Sequence, residues 1–514
     1  MQRRTYLGQK GYTILKDSIT LDEQLHIKTD LTVKPNMPGN MGKTISFPIY
    51  RESAKKLYVP RFYGEKNFGI ADENKLSSGD IIDLEFVGEM RQYQVDIISK
   101  YLTHVKSGKS GIGGGLLEIG CGKGKTVMAL NIISKLKVKT LIIVHKGFLL
   151  SQWVERIQQF LPSARIGKIQ GPHFDIEDKD IVIGMLQSLS MKDYPQELFS
   201  SFGFVCVDEC HHISAEVFVR SLFVAVTPYV LGLSATMQRK DGLSKVFKHF
   251  IGGMVHSEKN DTTTQVEVRG IEYSVNDDEF NDIRTDYRGN PLYSCMISKL
   301  CDYASRTEFI LGVLKDVLRE NNQQQIIMLA HNKNLLNYIY KAILDRNIAE
   351  GSIGYYIGGM KDKDLKVSET KTVIMATYSM AAEALDIKTL TTLFMLTPKT
   401  DVQQAVGRIL RVKHSKPLVV DFVDAHGIFQ NQWKKRKAFY KKQNYRVIYT
   451  DNRNYETDTT SPNWKVVNDP EKNTKSTGTK STGTKSTGKK SKCDDTEPLE
   501  QTCKCMVTLD MLNQ

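Results

Sequence analysis

Three groups of residues in this chain have the types and spacing needed to bind and hydrolyse a nucleoside triphosphate. The first is Gly120-Cys121-Gly122-Lys123-Gly124-Lys125-Thr126. Glycines let backbone N–H groups curl round an anion, and a helix N-terminus adds its positive dipole end. Lys125 is then placed to meet the β- and γ-phosphates, and the Thr126 hydroxyl to ligate Mg²⁺. Ile119 stands where the full pattern has its first glycine. Alone, therefore, the loop also reads as a glycine turn between a buried strand and a helix. The second group is Asp208-Glu209, closing the apolar run Phe204-Val205-Cys206-Val207. Asp208 suits a water-mediated hold on Mg²⁺, and Glu209 the orientation and deprotonation of an attacking water; a carboxylate pair capping a strand end is the structural alternative. His211 is placed to relay the nucleotide's state by hydrogen bonding. Ser234 and Thr236, small hydroxyl residues at another strand end, are placed to link the nucleotide to a neighbouring groove. A zinc site on Cys206, Cys210, His211 and His212 is disfavoured, because three of these are consecutive and zinc patterns space their ligands. The third group is Gln404, Arg408 and Arg411, which helical spacing puts on one face. An amide and two arginines suit the charge that develops on a transferring γ-phosphate. A solvated basic helix would show the same spacing.

These groups need strands to end where they begin. Leu116–Ile119, Thr140–Val144, Asp180–Gly184, Phe204–Asp208 and Val230–Ser234 are short apolar runs with helical sequence between them. A second series comprises Gln325–Ala330, Thr372–Ala376, Thr392–Leu396 and Leu418–Phe422. Each fits a strand buried on both faces of a parallel sheet. The fold class is therefore α/β, with two similar units in tandem. The expected organisation is a small mixed N-terminal domain over 1–80, a first unit over 81–265, a linker over 266–300, a second unit over 301–448 and a tail over 449–514. In the N-terminal part, Pro60-Arg61-Phe62-Tyr63 interleaves basic and aromatic residues, and packing against the next domain is its expected role. The tail repeats Lys-Ser-Thr-Gly from 475, 480 and 485, a polar composition that buries too little apolar surface to fold alone. Cys493, Cys503 and Cys505 follow it without metal-ligand spacing and are expected to be free thiols.

Taken in order, Gly-x-Gly-Lys-Thr, Asp-Glu-Cys-His, Ser-Ala-Thr and Gln-x-x-Gly-Arg-x-x-Arg resemble motifs I, II, III and VI of superfamily 2 helicases. The resemblance runs from about Arg91 to Arg411 and implies two RecA-like domains with ATP between them. It implies further roles residue by residue. Gln94, in Met90-Arg91-Gln92-Tyr93-Gln94, matches a glutamine that reads adenine. Gln152-Trp153 resembles motif Ia, and Ala376-Thr377 with Glu383-Ala384-Leu385-Asp386 resembles motif V. Gly358-Gly359 matches a turn used near the nucleic acid. Trp153, Arg239, Gly359 and Thr377 are accordingly the expected nucleic-acid contacts. His211-His212 and Arg239-Lys240-Asp241-Gly242 lie closest to the duplex-DNA translocases, and the chain further resembles the transcript-release DNA helicase of poxviruses and its relatives in giant DNA viruses. That resemblance implies ATP and Mg²⁺ as cofactors, DNA as the favoured nucleic-acid partner with RNA as the alternative, the transcription machinery as a further partner, and movement 3′ to 5′. Rival readings are an RNA helicase, a duplex translocase that separates no strands, and a non-enzymatic scaffold; the intact Lys125, Asp208, Glu209 and Arg408 argue against the last.

Composition agrees. The 514 residues allow two or three cored domains, and the formal charge of +13 suits a polyanionic partner. Seven lysines and no acidic residue between Lys472 and Lys492 contribute to that charge. Eight cysteines without framework spacing fit a reducing compartment. No run reaches the length of a membrane span and no apolar signal region follows Met1, so a cytoplasmic or virion location is expected.

Overall fold

Runs of β-branched and leucine residues with no polar face can only be satisfied between two layers of helix, and that is where they lie. In the first sheet the strand order is His173–Asp175, Ile166–Gln170, Ile181–Met185, Thr140–Val144, Phe204–Val207, Tyr229–Ser234, Gly113–Glu118 and Met254–Ser257. Only the pair of His173–Asp175 with Ile166–Gln170 is antiparallel. Every residue of Thr140–Val144 and Phe204–Val207 is buried. The second sheet runs Ile353–Tyr356, Val373–Thr377, Gln325–Ala330, Leu390–Met395, Leu418–Asp424, Glu267–Tyr273, Arg446–Asp451 and Lys465–Asn468. It is parallel except at its last strand. The computed structural model describes residues 3–34, 46–107, 113–120, 122–192, 194–210, 215–235, 237, 243–257, 266–383, 385, 387–410 and 416–470.

Two expected boundaries move. The linker expected over 266–300 contains Glu267–Tyr273, which pairs on both sides inside the second sheet. Its charges look like linker chemistry but are satisfied from afar: Arg269 bonds Glu267 and Glu320, and Glu272 accepts from the Tyr449 hydroxyl. The tail expected from 449 begins later, because Arg446–Asp451 and Lys465–Asn468 extend the same sheet. Trp464, buried, donates from Nε1 to the Glu456 carbonyl at 3.0 Å and closes the connection between them.

The N-terminal strands form a five-stranded sheet in the order Arg51–Glu52, Lys56–Val59, Gly11–Leu15, Thr5–Gly8, Glu73–Asn74. Its apolar face shares one continuous core with the first unit, since Tyr12, Val59 and Tyr63 join Phe223, Phe247 and Phe250. Arg61 is buried and donates to the Pro228 carbonyl at 2.9 Å, while Tyr63 meets His249 edge-on at 5.3 Å. The basic-aromatic segment thus packs between these parts, as expected.

Candidate nucleotide site

Parallel strands deliver their loops to the carboxyl end of a sheet, the usual place for a ligand. The loop after Gly113–Glu118, the Asp208-Glu209 turn after Phe204–Val207 and the end of Tyr229–Ser234 all meet there, because these three strands occupy consecutive places in the sheet. Gly122 and Gly124 take φ of 79° and 84°, left-handed values that favour glycine, and Gly124 caps the helix Lys125–Leu136. A Cβ at Gly124 would lie 2.5 Å from Gln94 Nε2. The loop is also held from outside: the Lys123 carbonyl accepts from the Tyr93 hydroxyl at 2.9 Å and from Gln94 Nε2 at 3.0 Å.

That contact gives Gln94 a role beside the expected one. Gln94 is buried, its Oε1 accepts from the Arg91 N–H at 3.0 Å and its Nε2 holds the loop. Here Gln94 props the phosphate loop, using one N–H and one lone pair of an amide that carries two of each.

Lys125 Nζ donates to Glu209 Oε1 at 2.5 Å. Glu209 has φ of 46°, a conformation that costs a non-glycine residue on the order of 1 kcal/mol or more. Its N–H donates to Asp208 Oδ1 at 3.0 Å, so the turn folds back on the preceding carboxylate. Asp208 is buried, and burial, reinforced by the charge of Glu209, pushes its carboxyl up to about 6; Lys125, the Trp153 N–H and the Glu209 N–H act in the opposite direction. The Trp153 contact is direct, with Nε1 donating to Asp208 Oδ2 at 2.9 Å.

Trp153 revises an expectation. Expected to touch nucleic acid, it is 1% exposed, sunk between the helix Gly147–Phe160 and the sheet, and its one polar atom is spent on Asp208. Of the zinc alternative, burial pushes the Cys206 and Cys210 thiols up, and His211 and His212 lie outside the described residues. Asp208 and Thr126 are hard oxygen donors, two in number, which is the sparse protein share that Mg²⁺ takes when phosphates and waters supply the rest. The donor set fits that ion.

In the second unit, Arg408 ends the helix Gln403–Arg408, is 8% exposed and donates from Nη1 to the Leu385 carbonyl at 2.8 Å. Gln404 is half-buried. A solvated basic helix is thereby excluded at Arg408. Thr377 closes the strand Val373–Thr377, buried, with Oγ1 3.2 Å from Ser379 Oγ. Gly359 is exposed, with φ of 95°. Ser234 is buried, and its carbonyl accepts from the Ile119 N–H at 2.9 Å, tying that strand end to the phosphate loop. Cys121, His211, Thr236, Arg239 and Arg411 lie outside the described residues.

Sequence reasoning passed over Tyr93 and Glu118. Glu118 Oε1 accepts from the Met237 N–H at 2.9 Å and Oε2 from the Ser257 hydroxyl at 2.6 Å, so the strand before the phosphate loop also anchors the Ser234 loop. A lone carboxylate at the end of an otherwise apolar strand was the available signal.

Residues 88–239 match the family described as type III restriction enzyme, res subunit. The chain is 33% identical over 457 residues to "Putative ATP-dependent RNA helicase L396" of Acanthamoeba polyphaga mimivirus, covering 86% of each. It is 27% identical over 356 residues to "Putative ATP-dependent RNA helicase QP509L" of African swine fever virus, covering 65% of this chain and 69% of that one. Among solved structures, a fragment described as "a putative HsdR subunit of a type I restriction enzyme" from Vibrio vulnificus aligns with TM-score 0.51 at 17% identity, over 71% of this chain and 70% of that one. That likeness concerns the fold, two RecA-like sheets in tandem.

Proposed function

The chain belongs to the superfamily 2 helicases, nucleic-acid-dependent ATPases with relatives in giant DNA viruses, and from that premise we propose how its own residues divide the work. Lys125 and the backbone of Gly122–Gly124 receive the β- and γ-phosphates of ATP. Thr126 and Asp208 hold Mg²⁺, which when bound neutralises phosphate charge. Glu209 takes the proton of the attacking water, and Arg408, with Gln404 and Arg411, meets the charge that builds on the γ-phosphate. The observation that carries the reading is the 2.5 Å contact between Lys125 and Glu209. Without nucleotide the lysine neutralises the base. Arriving phosphates compete for the same ammonium, so ATP binding itself releases Glu209 to act. Asp208 is kept in place meanwhile by Trp153 and the Glu209 N–H.

Thr377 and Gly359, at strand ends of the second sheet, are the proposed contacts to a nucleic-acid backbone, with His211, Ser234 and Thr236 as the coupling elements and Arg239 as a further contact. Contacts to phosphate hold without reading sequence. We assign DNA as the track, with movement 3′ to 5′ and a role in viral transcript release, on the resemblance of Arg239-Lys240-Asp241-Gly242, Phe47-Pro48-Ile49-Tyr50-Arg51-Glu52-Ser53 and Leu57-Tyr58-Val59-Pro60-Arg61-Phe62-Tyr63-Gly64 to that group. RNA is the second reading, favoured by the names of the mimivirus and swine fever virus relatives. ATPase stimulation by single-stranded DNA, duplex DNA and RNA decides between them. Stimulation by DNA alone supports the first reading, and stimulation by RNA alone overturns it.

A further inference from the structure

The helix Gly427–Lys442 has 16 residues, no acidic side chain, and Lys434, Lys435, Arg436, Lys437, Lys441 and Lys442 from its midpoint onward. Its inner side is Phe429, Trp433, Arg436 and Tyr440, all buried on the second sheet, with Trp433 stacked on Tyr449 at 5.5 Å. Arg436 belongs to that inner side through its ion pair with Asp421 at 2.8 Å. The five lysines do not. At about 100° per residue they fall within one arc of roughly 160°, with Ala438 near its centre. Lys434, Lys435, Ala438, Lys441 and Lys442 are exposed, and Lys437 is half-buried. Among the described residues no carboxylate pairs with any of these lysines, and Lys434 reaches only Asn431 Oδ1 at 3.5 Å.

Helix-dipole compensation accounts for lysines in a final turn, where the effect is concentrated. Lys434, Lys435 and Lys437 stand before that turn and are left without such a reason. The placement is informative as well. The helix begins just after the strand Leu418–Asp424, at the sheet end that carries Thr377 and Gly359, and runs back to the start of the parallel strand Arg446–Asp451. Its fifteen steps amount to about 22 Å, so Lys441 and Lys442 lie toward the opposite end of the sheet from the motor groove. From Lys434 to Lys442 the rise is about 12 Å, and one strand of a duplex presents a phosphate about every 3.4 Å, so the face spans about three phosphates. A membrane surface fits poorly, because an interfacial helix needs its apolar side free to enter lipid and this one is packed on a sheet.

We propose that the lysine face of Gly427–Lys442 is a second, sequence-independent nucleic-acid site, which holds the phosphate backbone of the track outside the ATP-driven groove. It rests on the chain being a nucleic-acid-dependent ATPase and adds a grip that does not depend on nucleotide state. The test uses the full chain with Lys434, Lys435, Lys437, Lys441 and Lys442 all changed to Gln, beside a variant with the same five changed to Arg. Binding of a fluorescein-labelled DNA strand, the RNA of the same sequence and the matching duplex is followed as salt is raised. Three lost contacts should make the log–log salt slope shallower by roughly 2 to 3, at about 0.9 per phosphate on duplex and about 0.7 on a single strand. The Arg variant should keep the parent slope, and the three probes show which nucleic acid the face prefers. Should the fivefold Gln variant fail to fold, Lys434→Gln/Lys435→Gln and Lys441→Gln/Lys442→Gln should each lower the slope by about 1 or more. ATPase at saturating strand should stay at the parent level in every variant, whereas a parent that no strand stimulates would undo the motor reading instead. Parent slopes in the Gln variants overturn the proposal. So does loss of binding to polyglutamate with nucleic-acid binding unchanged, which would make the face a site for an acidic protein.

Discussion

The carboxyl ends of the two sheets are built on opposite principles. In the first, Lys125 and Glu209 keep 12% and 21% of their side chains exposed and meet at 2.5 Å on backbone bent into left-handed geometry. In the second, the charges are locked. Arg306 pairs with Asp424 and Arg436 with Asp421, all four side chains fully buried. Both arginines also grip the same loop: Arg306 donates to the Leu396 carbonyl at 2.8 Å and Arg436 to the Lys399 carbonyl at 2.9 Å. Tyr378 and Tyr293 hold Thr397 and Pro398 between them, at 2.7 and 2.8 Å. That loop leads straight into the helix bearing Gln404 and Arg408. The difference separates a site whose ion pair must exchange partners from a frame whose ion pairs must not. A charge that has to move stays near solvent, whereas a buried charge stripped of its partner costs about 3–5 kcal/mol.

The comparison breaks most sharply at Lys125. Lys125→Ala should abolish nucleic-acid-stimulated hydrolysis while lowering stability by less than the loss of either fully buried pair, because Lys125 and Glu209 keep part of their solvent contact. Hydrolysis assays beside thermal melts check both halves. Arg408→Ala should lower turnover by roughly the 10³-fold scale of a residue that completes a phosphate site from a second unit, with ATP affinity better preserved. Arg408→Lys should not restore it fully, since an ammonium lacks the planar fork. Silent variants would return Arg408 to a structural role.

Arg436→Met should do the reverse of Lys125→Ala. It leaves the Asp421 carboxylate buried without its partner and should destabilise the fold by about 3–5 kcal/mol, read by denaturant unfolding. A stability loss no larger than that of Lys125→Ala would erase the contrast between the two ends. Trp153→Phe should act more gently, keeping the ring and deleting the N–H. Asp208 then loses one of its two hydrogen bonds, and the Mg²⁺ concentration needed for half-maximal ADP binding, followed with a fluorescent ADP, should rise several-fold. An unchanged Mg²⁺ requirement would leave Trp153 as packing alone. Smallest of all, ending the chain after Pro470 should leave the unfolding transition and basal ATPase as they are.

What could be read in the sequence follows the same division. Strands buried on both faces announce themselves, which is why Thr140–Val144 and Gln325–Ala330 have the bounds their apolar runs dictate. Glu267–Tyr273 did not, because Glu267, Arg269 and Glu272 find partners as distant as Glu320 and Tyr449. The glycine loop and the Asp-Glu pair were legible since their chemistry is local. Trp153 was not, as the carboxylate it bonds lies 55 residues away. Gln94 was placed beside the nucleotide from its motif, but its hold on the Lys123 carbonyl depends on how the helix Gln92–Lys106 packs.

The central claim is that ATP competes with Glu209 for Lys125, and Glu209→Gln tests it most directly. The amide keeps the shape but neither abstracts a proton nor holds the ammonium by charge. ATP affinity and strand-stimulated turnover should be measured together on purified Glu209→Gln and parent protein. The account predicts ATP binding at least as tight as the parent's, with turnover lost. Near-parent turnover, or weakened ATP binding, would contradict it.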